Sequence, residues 1–453
     1  MISAQNHHPL SSGNSILFTL FAIILFAASC SSSKAVMQKQ KPKNKVVIEK
    51  PKGQVLPQKV DTVEWTEISE VEAPPIINET PAAPGLDKKS QYNISLLMPL
   101  DANKLNSASD DAILNDNKFI NFYAGAMLAF EALERDGIDL NVNVYDSKTE
   151  NLDNLMSGYE LRNSDIIIGP RDTDELKKVA TFGKEREISV ISPWKSSSQI
   201  ASENPYYIQL IPGLYDHYYR IAEHAAENFD NQQVVLLGRN STDKRRFKYF
   251  QQDDEQFQEF MVNEDSLMVG ETAFDSLMID VSETTAFIIP NYSSKDERFI
   301  YNCLRRLNIE KGMKNVVVYG MPIMKDSDRT TYNFYTSLNM HICLSKFVDV
   351  DDRDVINFER AYYEKYAALP TSDAYEGYDV MTYIGKSLDR YGKNFQFHLE
   401  EDDDNYLQTS YQLDKVFKSL DMDKENFENI NYYGNKYLDI IAFKQKSFKR
   451  LEE

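Results

Sequence analysis

The sequence predicts an α/β fold with parallel sheets. Two observations carry this. Short apolar or β-branched runs that stop at Gly or Pro alternate with amphipathic stretches from residue 92 onward, the pattern of strands and helices taken in turn. And one segment, Asp165 to Ser198, holds a whole strand–helix–strand unit. Its strands, connected through a helix, must run parallel.

That unit organises the rest. Asp165-Ile166-Ile167-Ile168 reads as a buried strand closed by Gly169-Pro170. Asp172 to Glu187 places Leu176, Val179, Ala180 and Phe182 near helical spacing among charges, with Asp172 or Thr173 as cap. Ile188–Ser192 is the second strand, ended by Pro193. Ligands of such sheets sit beyond the carboxyl ends of the strands. The two loops there carry Arg171, Asp172, Thr173, Trp194, Lys195, Ser196, Ser197 and Ser198. These residues make either a binding edge or ordinary caps and solvent-facing loops.

The chain ahead of this unit points to the cell envelope. Ser15 to Ala28 is apolar and short, as in a signal h-region. Ala27-Ala28-Ser29-Cys30 then places small residues before a cysteine, like a bacterial lipoprotein signal in which Cys30 becomes lipidated. His7 and His8 stand where Lys or Arg is usual. Residues 31–91 have little aromatic content and no persistent period, and are expected as a polar, disordered tether. Its first half, Ser31–Lys59, holds eight Lys against Glu49. Its second, Val60–Leu86, holds six acids and no base. The SSSK after Cys30 lacks acidic residues, which favours a periplasm-facing position, most readily at the outer membrane.

Residues 92–453 are long enough for two lobes. The whole chain is −20 at pH 7. The leader carries no Asp, Glu, Lys or Arg and the tether ten Lys against eight acids, so the remainder holds about −22, which argues against nucleic acid as partner. With Cys30 lipidated, Cys303 and Cys343 remain, either paired or both buried thiols. His217 and His224, seven apart on one helix face, read as satisfied histidines. The acidic runs Glu400–Asp404 and Asp421–Glu428 read as solvated faces, the second lacking the Gly of an EF-hand loop. No Gly-x-Ser-x-Gly, Walker, His-Glu-x-x-His or Gly-x-Gly-x-x-Gly motif occurs. Neither an enzyme, a metal nor a cofactor is expected.

The remaining elements follow in order. Strands are expected at Asn93–Leu100, Leu140–Tyr145, Tyr206–Leu210, Gln233–Leu237, Ala286–Ile289, Asn315–Tyr319 and His341–Val348. Between them lie a polar loop at Asp101–Asp116 and a helix with Phe119, Phe122, Ala126, Ala129 and Leu133 on one face. Further helices fall at Tyr215–Asn228, near Asp254–Met261, at Lys295–Leu307 and near Thr330–Leu338.

Val355–Gly392, with Phe358, Lys365-Tyr366, Pro370, Tyr378-Asp379 and Gly392, together with IIIGP at Ile166–Pro170 and VISP at Val190–Pro193, resembles the type I periplasmic solute-binding fold of the branched-chain amino-acid receptor family. The resemblance spans residues 92–453. It implies two Rossmann-like lobes joined by three crossovers, with ligand clamped between them: lobe one at 92–213 and 351–404, lobe two at 214–350 and 405–453, with C-terminal strands near Leu407–Leu413 and Tyr437–Phe443. It places hydroxyls for a ligand's carboxylate and ammonium at Thr173, Ser196 and Ser197, and clamp positions in lobe two at Asn240, Tyr292 and Met321. Where the family has an acidic ammonium partner, this chain has Met321-Pro322-Ile323, so an amino acid, a peptide and another anion all stay open as ligand. Arg171 and Lys195 suggest a carboxylate or phosphate, with Trp194 as a flat wall. The expected function is a lipid-anchored solute-binding protein for uptake or sensing. The alternative is an interaction lipoprotein of the envelope, such as a regulator of peptidoglycan synthesis, with a protein partner.

Overall fold

A computed structural model describes residues 84–102, 118–251, 256–269, 274–398, 404, 406–417 and 430–451. Outside them lie the leader with Cys30, the tether up to residue 83, the loop after Ala102, the run Asp421–Glu428 and most of Glu400–Asp404.

Two seven-stranded sheets form the frame. The first is built from β1 (Tyr92–Met98), β2 (Leu140–Asp146), β3 (Ile166–Ile168), β4 (Ser189–Ser192), β5 (Tyr207–Gln209), β11 (Leu413–Phe417) and β12 (Ile430–Asn435), in the order β11-β12-β5-β4-β3-β1-β2. The second holds β6 (Val234–Gly238), β7 (Gln258–Met261), β8 (Thr284–Ile289), β9 (Asn315–Gly320), β10 (Met340–Leu344), β13 (Asp439–Lys444) and β14 (Ser447–Arg450), in the order β14-β13-β10-β9-β8-β6-β7. Strands connected through helices pair in parallel, as β3 with β4 (Ile166 opposite Ser189) and β8 with β9 (Thr284 opposite Asn315). β3 is apolar throughout because helices cover both faces of such a sheet.

The two sheets are mostly, not wholly, parallel. β11 joins β12 antiparallel, and β13 is antiparallel to both β10 and β14. This moves a boundary. The chain after residue 405 was expected in lobe two, with a strand near Leu407–Leu413. Instead β12 pairs in parallel with β5 of the first sheet, Tyr433 opposite Ile208, and brings β11 with it. The third crossover is therefore residues 436–438, after residues 210–213 and 345–352. A second correction concerns the helix expected near Asp254–Met261. Gln258–Met261 is an edge strand paired with β6, mostly exposed, so no apolar alternation marks it.

Helix α1 (Lys118–Arg135) and a later helix, α11 (Ser372–Tyr391), pack against each other on the first sheet. Glycines let their backbones meet: a Cβ on Gly125 would fall 1.8 Å from the Ala374 carbonyl oxygen, and one on Gly377 1.9 Å from that of Phe122. Residues 84–91, expected as tether, are tied to this lobe. Asn394 Nδ2 donates to the Gly85 carbonyl at 3.1 Å, and Lys89 Nζ lies 2.5 Å from Asp165 Oδ1.

Helix α4 (Leu214–Asn228) buries both of its histidines. His217 Nδ1 is 2.9 Å from the Gly213 carbonyl and His224 Nδ1 2.8 Å from the Tyr319 hydroxyl, so both are satisfied within the fold. Cys303 and Cys343 are buried free thiols. They belong to separate clusters, one around α7 (Glu297–Glu310) and one under β10. Burial pushes both thiols up. Among the described residues no helix is long and apolar enough to cross a membrane.

Candidate functional site

The carboxyl ends of β3 and β4 fix two turns side by side. After β3 the chain bends through Gly169 at φ +82°, where a Cβ would meet the Leu97 carbonyl oxygen at 2.4 Å and the Trp194 ring at 2.9 Å. Only glycine suits both the left-handed conformation and that approach. Helix α3 (Thr173–Arg186) then starts at Asp172, whose carboxylate accepts from Asp174 N at 3.0 Å and Glu175 N at 3.2 Å. Those backbone bonds, Glu175 first, hold the Asp172 carboxyl below its ordinary value.

Trp194, after β4, turns onto α1. Its ring meets Phe119 at 5.2 Å and Phe122 at 5.1 Å, both edge-on, a favoured aromatic geometry. The Arg171 guanidinium sits 5.9 Å from the Phe119 centroid. These rings form the apolar wall of a 190 Å³ cavity. Its charged lining is Lys118, Arg171 and Lys346 against Asp373 and Glu376, with Ile211 from the first crossover. Glu376 is buried and lies 2.7 Å from Lys346 Nζ. Burial raises the carboxyls of both Glu376 and Asp373, with Lys346 and Lys118 opposing the rise. The lining is formally +1, with three cations and two carboxylates, inside a chain of −20. It can take a small solute that puts a flat apolar part on the rings and an anionic group toward the cations.

The second crossover is tied down near this cavity. Asp379, fully buried, accepts from Leu407 N at 2.8 Å and Gln408 N at 2.9 Å. The Gln408 carbonyl in turn accepts from Phe347 N at 2.7 Å. Burial raises the Asp379 carboxyl to about 7 against those two bonds. Asp379 lies inside α11, which begins at Ser372.

Of the ten binding residues expected, Arg171 and Trp194 line the cavity together. The other eight are not in its lining. Asp172 caps α3 and Thr173 begins it. The Lys195 carbonyl accepts from Ser192 Oγ at 3.3 Å. Ser196 Oγ donates to the Pro212 carbonyl at 3.1 Å, and Ser197 N donates to Gln209 Oε1 at 2.9 Å. In lobe two, Asn240 caps helix α5 (Ser241–Phe247), accepting from Thr242 N at 2.9 Å and Asp243 N at 3.1 Å. Tyr292 stacks beneath Arg246 at 5.1 Å. Met321 is 2% exposed and packs in the core beneath the second sheet. Sequence reasoning missed Lys118, Lys346, Asp373 and Glu376. Phe119 and Phe122 were legible only as the apolar face of a helix.

The strand ends of lobe two close on themselves. Arg239 pairs with Asp243, 3.1 Å, and with Asp296. Arg246 Nη1 adds 3.0 Å to Asp243 Oδ1, and Asn291 Nδ2 donates to the same oxygen at 3.2 Å. None of these residues lines the Trp194 cavity.

Comparison with known proteins bears on this geometry. The family model of the receptor family ligand binding region matches residues 124–424. No curated protein matches. Among solved structures, a putative branched-chain amino acid ABC transporter protein from Rhodospirillum rubrum is 13% identical, covers 80% of this chain and 100% of its own, and has a TM-score of 0.53. An ABC transporter substrate-binding protein from Desulfitobacterium hafniense in complex with Leu is 13% identical over the same shares, at 0.45. The C-domain of LpoA from Haemophilus influenzae, a regulator of PBP1A, is 12% identical over the same shares, at 0.47. Identities this low speak to the fold alone. The family model spans well over half the chain, and the two mostly parallel sheets joined by three crossovers agree with it: the chain belongs to the receptor family ligand binding region, the type I periplasmic-binding family.

Proposed function

We propose that this chain is a lipid-anchored, periplasm-facing binding protein that clamps a small anionic solute for uptake or sensing, without catalysis. The observation that carries the reading is the Trp194 cavity, where Arg171, Lys118 and the Glu376-paired Lys346 stand around three aromatic rings with Asp373 beside them. Anionic groups favour such a setting because charge-assisted bonds are the stronger ones, and flat rings hold an apolar part. The lobe-two residues contribute little, since their charges are engaged with one another.

A thermal-shift screen of amino acids, short peptides, sugars and small anions on the parent protein tests this. At least one anionic solute should raise the midpoint. Failure of every class would sink the solute-binding reading. The anchor is tested separately: Cys30→Ser should leave unprocessed precursor and abolish lipid labelling, and label on that variant would refute the lipoprotein assignment.

A second reading, an interaction protein of the envelope, is favoured by the self-closed strand ends of lobe two. A clamp normally offers polar groups from both lobes, and here the charges at lobe two's strand ends are paired with one another.

A further inference from the structure

The rim of lobe two carries a surface of another kind. Tyr215, on the first turn of α4, is 54% exposed; Tyr249, just past α5, is 36%; Tyr292, after β8, is 45%. Tyr215 and Tyr249 are contiguous with the buried ring of Tyr218. Tyr215 meets Tyr249 edge-on at 5.4 Å, and Tyr249 stacks on Tyr218 at 6.1 Å. Tyr218 is pinned by its hydroxyl to the carbonyl of Pro290, two residues before Tyr292, at 2.9 Å. Arg246 covers Tyr292 and is held by Asp243. The rings are therefore set before any partner arrives, which lowers the entropy cost of docking.

Cations frame the rings. Arg245 and Lys248 are exposed. Arg245 donates to Thr242 Oγ1, and Lys248 lies 4.8 Å over the Tyr249 ring. Neither has a carboxylate partner among the described residues. Lys244 sits farther out, 3.8 Å from Glu259. In a chain of −20, these two cations, without a carboxylate partner among the described residues, stand beside three exposed phenols.

We propose that this rim docks a carboxylate-rich face of a protein partner that also offers apolar side chains to the tyrosines. Tyr and Arg are the residue types that dominate the buried centres of protein interfaces. A membrane surface suits the patch poorly: Leu214 is the one exposed aliphatic beside the rings among the described residues, less than the broad apolar face that lies in an interface. Two free cations are also few for a phosphate polymer. The proposal does not rest on the solute cavity, because none of these residues lines it.

The test replaces Tyr215 and Tyr249, one at a time, by a photo-crosslinking phenylalanine in the full chain, in the cells that make it. Tyr159, 77% exposed on lobe one, serves as control. Adducts at 215 and 249 should map to an Asp/Glu-rich segment of one protein and be absent at 159. Arg245→Glu with Lys248→Glu should lower their yield at least tenfold without shifting the melting midpoint. Adducts to phospholipid or glycan, adducts to a neutral or basic segment, no adduct at all, or a yield unchanged by charge reversal would each overturn the proposal.

Discussion

Lys346 Nζ lies 2.7 Å from Glu376 Oε1, joining the second crossover to the helix that floors the Trp194 cavity. Glu376 is buried while the Lys346 side chain is 32% exposed, so the lysine compensates a charge with little access to water. Lys346→Met should destabilise the fold by about 2 kcal/mol, because it leaves a buried carboxylate without its cation. The double variant with Glu376→Gln should lose less than the two single losses combined. Urea unfolding of the four proteins gives the coupling; additive losses would mean the pair is idle.

Asp379 joins α11 to the backbone of Leu407 and Gln408. Its folded carboxyl is raised from 3.8 to about 7 by burial. Between those values the folded state binds more protons than the unfolded one, so stability falls as pH rises through that window. Asp379→Asn should flatten this fall, measured as urea midpoints from pH 4 to 8. An unchanged slope would assign the fall to another group.

His341 acts in the opposite direction. Its ring meets Tyr319 at 5.1 Å and His224 at 5.8 Å. Burial lowers it from 6.5 to about 3. Here the unfolded chain binds more protons within the window, so stability falls as pH drops from 6.5 toward 3. His341→Phe keeps a ring and removes the proton site. It should resist acid better than the parent in a circular-dichroism titration, and equal acid lability would contradict the assignment.

Gly125→Ala tests the helix pair that carries Phe119, Phe122 and Glu376. The new methyl would sit 1.8 Å from the Ala374 carbonyl oxygen, so the backbones must separate. A loss of about 3 kcal/mol is expected by urea unfolding. A loss below about 0.5 kcal/mol, ordinary for a surface change, would mean that α1 and α11 do not pack this closely.

Much of the frame was legible because buried parallel strands are continuous apolar runs. Ile166–Ile168 and Val234–Leu237 announce themselves, and Gly169-Pro170 marks the end of the first. Gln258–Met261 was not legible, since an exposed edge strand has no buried face to impose a pattern. Nor was the lobe of Ile430–Asn435, which is decided by pairing with a strand more than two hundred residues earlier. The site divides the same way. Arg171 and Trp194 follow directly from strand ends, whereas Lys346 and Glu376 stand on separate elements that meet only in the fold. Glu376, within a helix, looks in sequence like any solvent-facing acid.

The central claim is that the Trp194 cavity takes the solute. Isothermal titration of the anionic solute that most raises the melting midpoint, on the parent and on the Arg171→Ala, Trp194→Ala and Lys195→Ala proteins, tests it directly. Arg171→Ala and Trp194→Ala should each weaken binding by about 1–3 kcal/mol, a factor of roughly 5 to 150, while Lys195→Ala, outside the lining, binds like the parent. Parent-like affinity in the Arg171 and Trp194 variants, or a loss confined to Lys195→Ala, would contradict it.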